Sequence, residues 1–262
     1  MGRLRTGTLL VVTAVCARSA NLPDQVRDIV RRSVENTNAD WKAAPAYDFT
    51  EKDVVKKHDR QTTKSFRVTM IDGSPYNKLI ALNGEPLPAA QAAAEEEKMR
   101  QETARRKAES PSVRQKRVAQ YQRERRQDHE LLTEMVNGFR FKLVGEETLN
   151  GRKCFVLTAE PLPGYQPMSR ETKVLTGMHG KMYVDEQQYQ WVRVQAEVFR
   201  PVAFGLFIAH VEPGTQFTLE QRPIEGNLWL PSHFSMNVHA RILFSARDSA
   251  EDDTYSDYRR AR

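Results

Sequence analysis

The chain has 262 residues, a charged fraction of 28%, and 13 glycines and 13 prolines. That composition excludes collagen, low-complexity disorder and a small disulfide-stapled domain. Its formal charge of +6 invites a polyanionic partner, but Arg3, Arg5 and Arg18 supply three of those positives in an acid-free opening stretch. Without that stretch 37 basic residues face 34 acidic ones, too even a balance to argue for nucleic acid.

The first seven residues carry two arginines, and the apolar run TLLVVTAVC follows over 8–16. Nine helical residues are far too short to span a bilayer core of about 30 Å. Ala17 and Ser19 are small and sit at the minus-3 and minus-1 positions of a cut between Ser19 and Ala20. Residues 1–19 therefore read as a secretory signal peptide, and 20–262 as one exported domain. Cys16 is no lipidation site by pattern, because Thr13 stands where a large apolar residue is usual and Val15 where a small one is. After cleavage only Cys154 remains, so no internal disulfide forms. Its neighbours Phe155, Val156 and Leu157 place it in a buried strand.

Pro23 and Asp24 open a helix in which Val26, Ile29, Val30 and Val34 make one narrow apolar stripe. From Tyr47 the period changes to two, the mark of strands. Phe66, Val68 and Met70 alternate with polar residues, and Asp72-Gly73 and Asn83-Gly84 read as hairpin turns on either side of 76–82. Phe139, Phe141 and Leu143 alternate again, and Asn150-Gly151 turns the chain into 153–160. Further strands are expected over 176–185, 189–200, 203–211, 215–222 and 228–246, with a last short one over 254–259. Including 47–57, about eleven strands with short turns imply a largely antiparallel sheet. In the longest, Phe234, Met236, Val238, Ala240, Ile242 and Phe244 share a dry face, and His233, His239 and Arg241 lie on the wet one. One helix about 10 Å wide cannot cover eleven strands spaced about 4.8 Å apart. The sheet must curl around the helix and leave apolar concavity.

Residues 86–137 interrupt the strands with an inserted helical hairpin broken at Ser110-Pro111. From Ala89 it carries nine acidic and eleven basic residues and few apolar ones before Leu131, so most of its surface must be solvated. It reads as a mixed-charge excursion, with Leu131, Leu132, Met135 and Val136 pinning its end to the sheet. A partner-docking hairpin, or a basic arm using Arg123, Arg125 and Arg126, is the functional alternative.

No complete catalytic signature occurs. None of the six histidines has H-E-x-x-H context, and His233 and His239 lie about 20 Å apart along one strand, too far to share a metal. Gly177 to Lys181, around His179, fails as a phosphate loop because Leu175 and Met182 stand where a glycine and a hydroxyl are needed. The pairs Asp185-Glu186 and Glu146-Glu147 fall at turns or strand ends. No catalytic residue, metal or cofactor is indicated. A hydrolase remains an alternative that would need titrating groups gathered in a cleft.

Residues 180–198 (GKMYVDEQQYQWVRVQAEV), 214–244 with Trp229-Leu230-Pro231 at a strand end, and YSDYR at 255–259 resemble the LolA-like and MucB/RseB-like lipoprotein-sorting superfamily. The resemblance covers about half the chain. It implies an unclosed, strongly curved half-barrel with the N-terminal helix as lid, whose concavity binds acyl chains of a lipid or lipoprotein on the way to the outer membrane. The dry faces nominate Phe66, Val68, Met70, Met182, Val192, Val194, Val198, Phe234, Met236 and Val238 as the lining. The rival of the same fold is an envelope stress sensor or scaffold that holds a protein partner through the 86–137 hairpin.

Overall fold

The structure is a computed structural model that describes residues 22–57, 60–169, 171–204, 209–242 and 245–261. The expected signal segment, with Cys16 and the Ser19/Ala20 bond, lies outside the described residues. Helix α1 (Leu22–Ala43) leads into strands β1 (Tyr47–Lys57), β2 (Arg60–Ile71), β3 (Ser74–Leu82) and β4 (Glu85–Pro86). Helices α2 (Ala89–Lys107) and α3 (Pro111–Gly138) follow. The remaining strands are β5 (Phe139–Leu149), β6 (Arg152–Pro161), β7 (Met178–Asp185), β8 (Trp191–Val198), β9 (Val202–Phe204), β10 (Ala209–Val211), β11 (Gln216–Glu225), β12 (Leu228–Ile242) and β13 (Ser245–Arg260). Eleven strands form one unclosed path, β4-β3-β2-β1-β13-β12-β11-β8-β7-β6-β5, with β10 and β9 as a side branch on β12. Every pairing among the described strands is antiparallel. No described helix is long and apolar enough to cross a membrane.

Local chemistry sets these elements. Asp72-Gly73, Asn83-Gly84 and Asn150-Gly151 all hold positive φ at both positions, the conformation of tight two-residue hairpins that Asx-Gly pairs favour. Ser110 caps α3 by accepting from the Val113 amide, and Pro111 takes the first helical position, where a missing N–H costs nothing. Ser33 is buried within the apolar stripe of α1, and Thr37 and Asp40 are buried beyond Val34, so the helix stays packed past its last valine.

Two expectations need correction. Where one strand over 203–211 was expected, the described residues form two short strands, β9 and β10, paired antiparallel to each other, and 205–208 lie outside the described residues. The long strand is described over Leu228–Ile242, with Phe244 outside the described residues and Ala246 in β13, and β13 has 16 residues where a short strand over 254–259 was expected. Residues 245–254 are rich in Ser, Ala and Asp, which disfavour strand, but ladders to β12 on one side and β1 on the other hold them extended.

The inserted hairpin ties together the two ends of the sheet. Near the start of α3, Val118 lies against Gly73 of the β2–β3 turn, and α3 ends directly at β5. From Val118 to Gly138 the helix advances about 30 Å at 1.5 Å per residue. Nine inter-strand steps separate β3 from β5, about 43 Å measured along the sheet. A chord that much shorter than its arc requires a deeply bowed sheet with α3 across its mouth.

Two arginines clamp the hairpin in place. Arg106, 6% exposed, donates to the carbonyls of Ile71, Ser74 and Pro75 and to Glu102. Arg117 donates to Ser74 Oγ, the Asp72 carbonyl and Glu109. Farther along, Arg125 lies over the Trp41 ring and donates to the Trp41 carbonyl. His129 stacks on the same ring at 4.5 Å. Of the three arginines considered as a basic arm, Arg125 is thus engaged within the fold, while Arg123 and Arg126 are exposed. Val136 packs against the core under α1; the side chains of Leu131, Leu132 and Met135 lie outside the description.

Candidate functional site

The face of the sheet that carries α1 can be followed strand by strand, because directly paired residues put their side chains on the same side. One row reads Leu157, Met182, Val194, Leu219 and Phe234 across β6, β7, β8, β11 and β12. It then continues as Asp253 on β13, Asp53 on β1 and Lys64 on β2. A second row runs Ala159, Gly180, Ala196, Phe217 and Met236, then Glu251 and Val55. A third joins Tyr255, Glu51, Phe66 and Leu79. The concave face therefore changes character midway, from an apolar floor to a ladder of acids bordered by apolar side chains.

On the β5–β8 half, α1 fills the concavity. Ile29 and Val30 pack with Leu157, Met182, Val184, Trp191 and Val194, with Val26, Val34, Val136 and Phe217 around them. The cavity left beside Val136, Phe139 and Met182 is only about 20 Å³, room for about one water and far too little for a chain-like ligand. Polar contacts lock α1 down as well. Asn36 donates to the carbonyls of Gln188 and Tyr189, Arg32 sits 3.4 Å over the Tyr189 ring, and Asp40 accepts from the Trp229 amide at 3.2 Å. Burial pushes the Asp40 carboxyl up to about 6, against the lowering effect of that bond.

The ten nominated lining residues divide between the halves. Met182 and Val194 lie beneath α1, and Val198 is buried beside Met178 and Leu175. Val192 sits where the β7–β8 register shifts and packs with Trp229 of β12 and with Cys154, Val156 and Tyr183, which alternate with the α1-facing residues of β6 and β7. Val68 is buried on β2. Phe66, Met70, Phe234, Met236 and Val238 are half-buried, and none of them belongs to the three buried apolar clusters among the described residues.

The acids between them were missed from sequence. Glu51 and Asp53 on β1 and Asp253 on β13 each bring a carboxylate oxygen within 4.8 Å of the others. Asp53 and Asp253 are direct cross-strand partners, an arrangement of like charges that destabilises a sheet. Burial, followed by repulsion from Asp53, Asp253 and Glu251, pushes Glu51 up to about 7. Burial and then Glu251 and Asp53 push Asp253 up to about 6, and Asp53 is raised by burial and Glu251 against the pull of Lys64. Tyr255 leans on this group, donating to Asp253 at 3.4 Å, and its ring meets Phe49, which also contacts Tyr258. The legible signal was an acid at every second position in both strands, Glu51/Asp53 and Glu251/Asp253. Their sequence separation of about 200 residues hid the encounter. By donor chemistry, these three carboxylates are the group among the described residues that could hold a metal ion.

Other nominated groups are spread out. His233 pairs with Asp252 at 2.9 Å and His239 with Asp248 at 3.0 Å, on the side of β12 away from α1. His179 is exposed and stacks on Phe199. Cys154 is fully buried, with its thiol pushed up to about 11 by burial, which keeps it protonated and unreactive.

No protein-family model matches the chain, and no curated protein matches it in sequence. Among solved structures, it is similar to an outer membrane lipoprotein-sorting protein domain from Vibrio parahaemolyticus, with 12% identity over 88% of this chain and 93% of that one and a TM-score of 0.37. It is also similar to a LolA superfamily protein from Nitrosomonas europaea, with 9% identity, 90% and 93% coverage and a TM-score of 0.32. A third is MucB in complex with MucA, with 9% identity, 90% and 99% coverage and a TM-score of 0.24.

Proposed function

We propose that the chain is an exported, periplasmic binding protein that shelters an acyl chain of a lipid or lipoprotein on the uncovered half of its concave face. The observation that carries this reading is the set of half-buried side chains Phe66, Met70, Phe234, Met236 and Val238, which line a concave surface that the clusters under α1 do not include. An acyl chain of about fourteen methylenes gains on the order of 10 kcal/mol on leaving water, before ordering costs, so no catalytic group is needed. In this reading α1 is a fixed plug that defines one wall of the binding half. The acids lie side by side on one floor, where a glycosidase needs two carboxyls facing each other across the substrate; that arrangement favours binding over hydrolysis.

Native mass spectrometry of the chain, gently extracted from its own envelope, tests the proposal. A retained lipid mass is expected, together with binding of a fluorescent fatty-acid probe that weakens at least tenfold in Met236→Glu while circular dichroism is unchanged. An apo mass with no probe binding, from protein of intact fold, overturns it.

A further inference from the structure

We propose that Glu51, Asp53 and Asp253 form a calcium-binding site on the floor of the concave face. Asp253 is 6% exposed and its Oδ1 is buried without a hydrogen-bond partner, as is Asp53 Oδ1. A carboxylate oxygen shut away from water and from donors is costly, and here two such residues oppose each other directly across the β1–β13 ladder. The register forces them together, and no nearby side chain donates to either orphan oxygen. A cation between them answers both deficits at once.

The geometry selects the ion. Two oxygens bound to one Ca²⁺ at about 2.4 Å each can lie no more than about 4.8 Å apart, and the three carboxylates satisfy that limit pairwise. Carboxylate oxygens are hard donors that suit Ca²⁺ or Mg²⁺ over softer metals. Between those two, Mg²⁺ demands near-ideal octahedral placement, whereas Ca²⁺ accepts irregular sets of six to eight oxygens. Donors taken from i and i+2 of one strand and the facing residue of the next are such an irregular set. Glu51 and Asp53 keep partial exposure, which leaves room for water to complete the shell. The charge also closes: Glu51, Asp53, Asp253 and Glu251 sum to four negatives, which Ca²⁺ and Lys64, the β2 partner of Asp53, reduce to one. The site stands on the sheet register and the buried carboxylate oxygens it brings together, and holds whether or not the trough takes an acyl chain.

The test uses the full chain stripped of divalent ions with EDTA at pH 8. Addition of 1 mM CaCl2 is expected to raise the melting temperature by several degrees, and Tb³⁺ is expected to luminesce on tyrosine excitation through the adjacent Tyr255 and to be displaced by Ca²⁺. Asp253→Asn and Glu51→Gln should each weaken both responses at least tenfold. Asp248→Asn, an exposed acid paired with His239, should leave them unchanged. Asp253→Asn removes a like charge, so the metal-free variant should fold at least as well as the parent. Absence of a calcium-dependent shift and of Tb³⁺ luminescence in the parent overturns the proposal, as does unchanged Tb³⁺ affinity in folded Asp253→Asn.

Discussion

The two halves of the concave face are built from the same alternating strands and differ in what lies over them. Beneath α1, the residues of β6, β7 and β8 are sealed in contact with Ile29 and Val30. From β12 onward, the face keeps half-buried apolar side chains beside a row of acids. Alternation makes one face of a strand apolar, but only a covering element turns that face into core. Where the cover ends, the same pattern leaves apolar side chains half-buried, and the chain can place charge among them.

The largest expected break in that comparison is Ile29→Ala. Ile29 is 2% exposed at the centre of the packed half, and truncating such a residue leaves a cavity that costs about 2–5 kcal/mol. Phe234→Ala, in the same apolar row as Leu157 and Met182 but half-buried, should cost less than about 1.5 kcal/mol, because its ring already gives part of its area to water. Urea unfolding of both variants measures the difference. Equal losses would mean that the halves are packed alike.

The hairpin supplies the next effect. Arg106→Ala removes the donor to three backbone carbonyls at the β2–β3 turn and leaves the inward ones unsatisfied, at a cost of about 2–3 kcal/mol. On the same helix Arg100 pairs with Glu97, and both side chains are exposed, so Arg100→Ala should move stability by less than about 0.5 kcal/mol. The pair separates the clamp at one end of α2 from its solvated remainder.

These features differ in how far they can be read along the chain. The antiparallel meander followed from period-two stretches and three Asx-Gly turns, whose backbone requirement is local. The plug followed from the α1 stripe, although the polar Thr37 and Asp40 carry its burial past Val34. The role of Arg106 was hidden because its partners are main-chain carbonyls more than 30 residues away, which no side-chain pattern announces. The acidic floor was hidden for a related reason: Asp53 and Asp253 meet only when β13 is a full-length strand, and its composition argued for a short one.

The smallest predicted effect sharpens the comparison most, because it separates the halves by charge. Glu51 and Asp253 titrate near 7 and 6 in the fold, above the ordinary values of 4.5 and 3.8 that they regain on unfolding. The folded state therefore binds the extra protons, and stability falls as pH rises from about 4 through about 7. One pKa unit is worth about 1.4 kcal/mol, but Glu51 is partly exposed and screened, so a combined loss of about 1–2 kcal/mol between pH 5 and pH 8 is expected without divalent ions. Asp40, pushed up to about 6 under α1, titrates in the same window from the packed half. Asp253→Asn should flatten the acidic-floor part of the slope, and Asp40→Asn the remainder. Urea midpoints across that range in EDTA read both, and a parent profile that rises with pH would show that the floor is charged and compensated even without calcium.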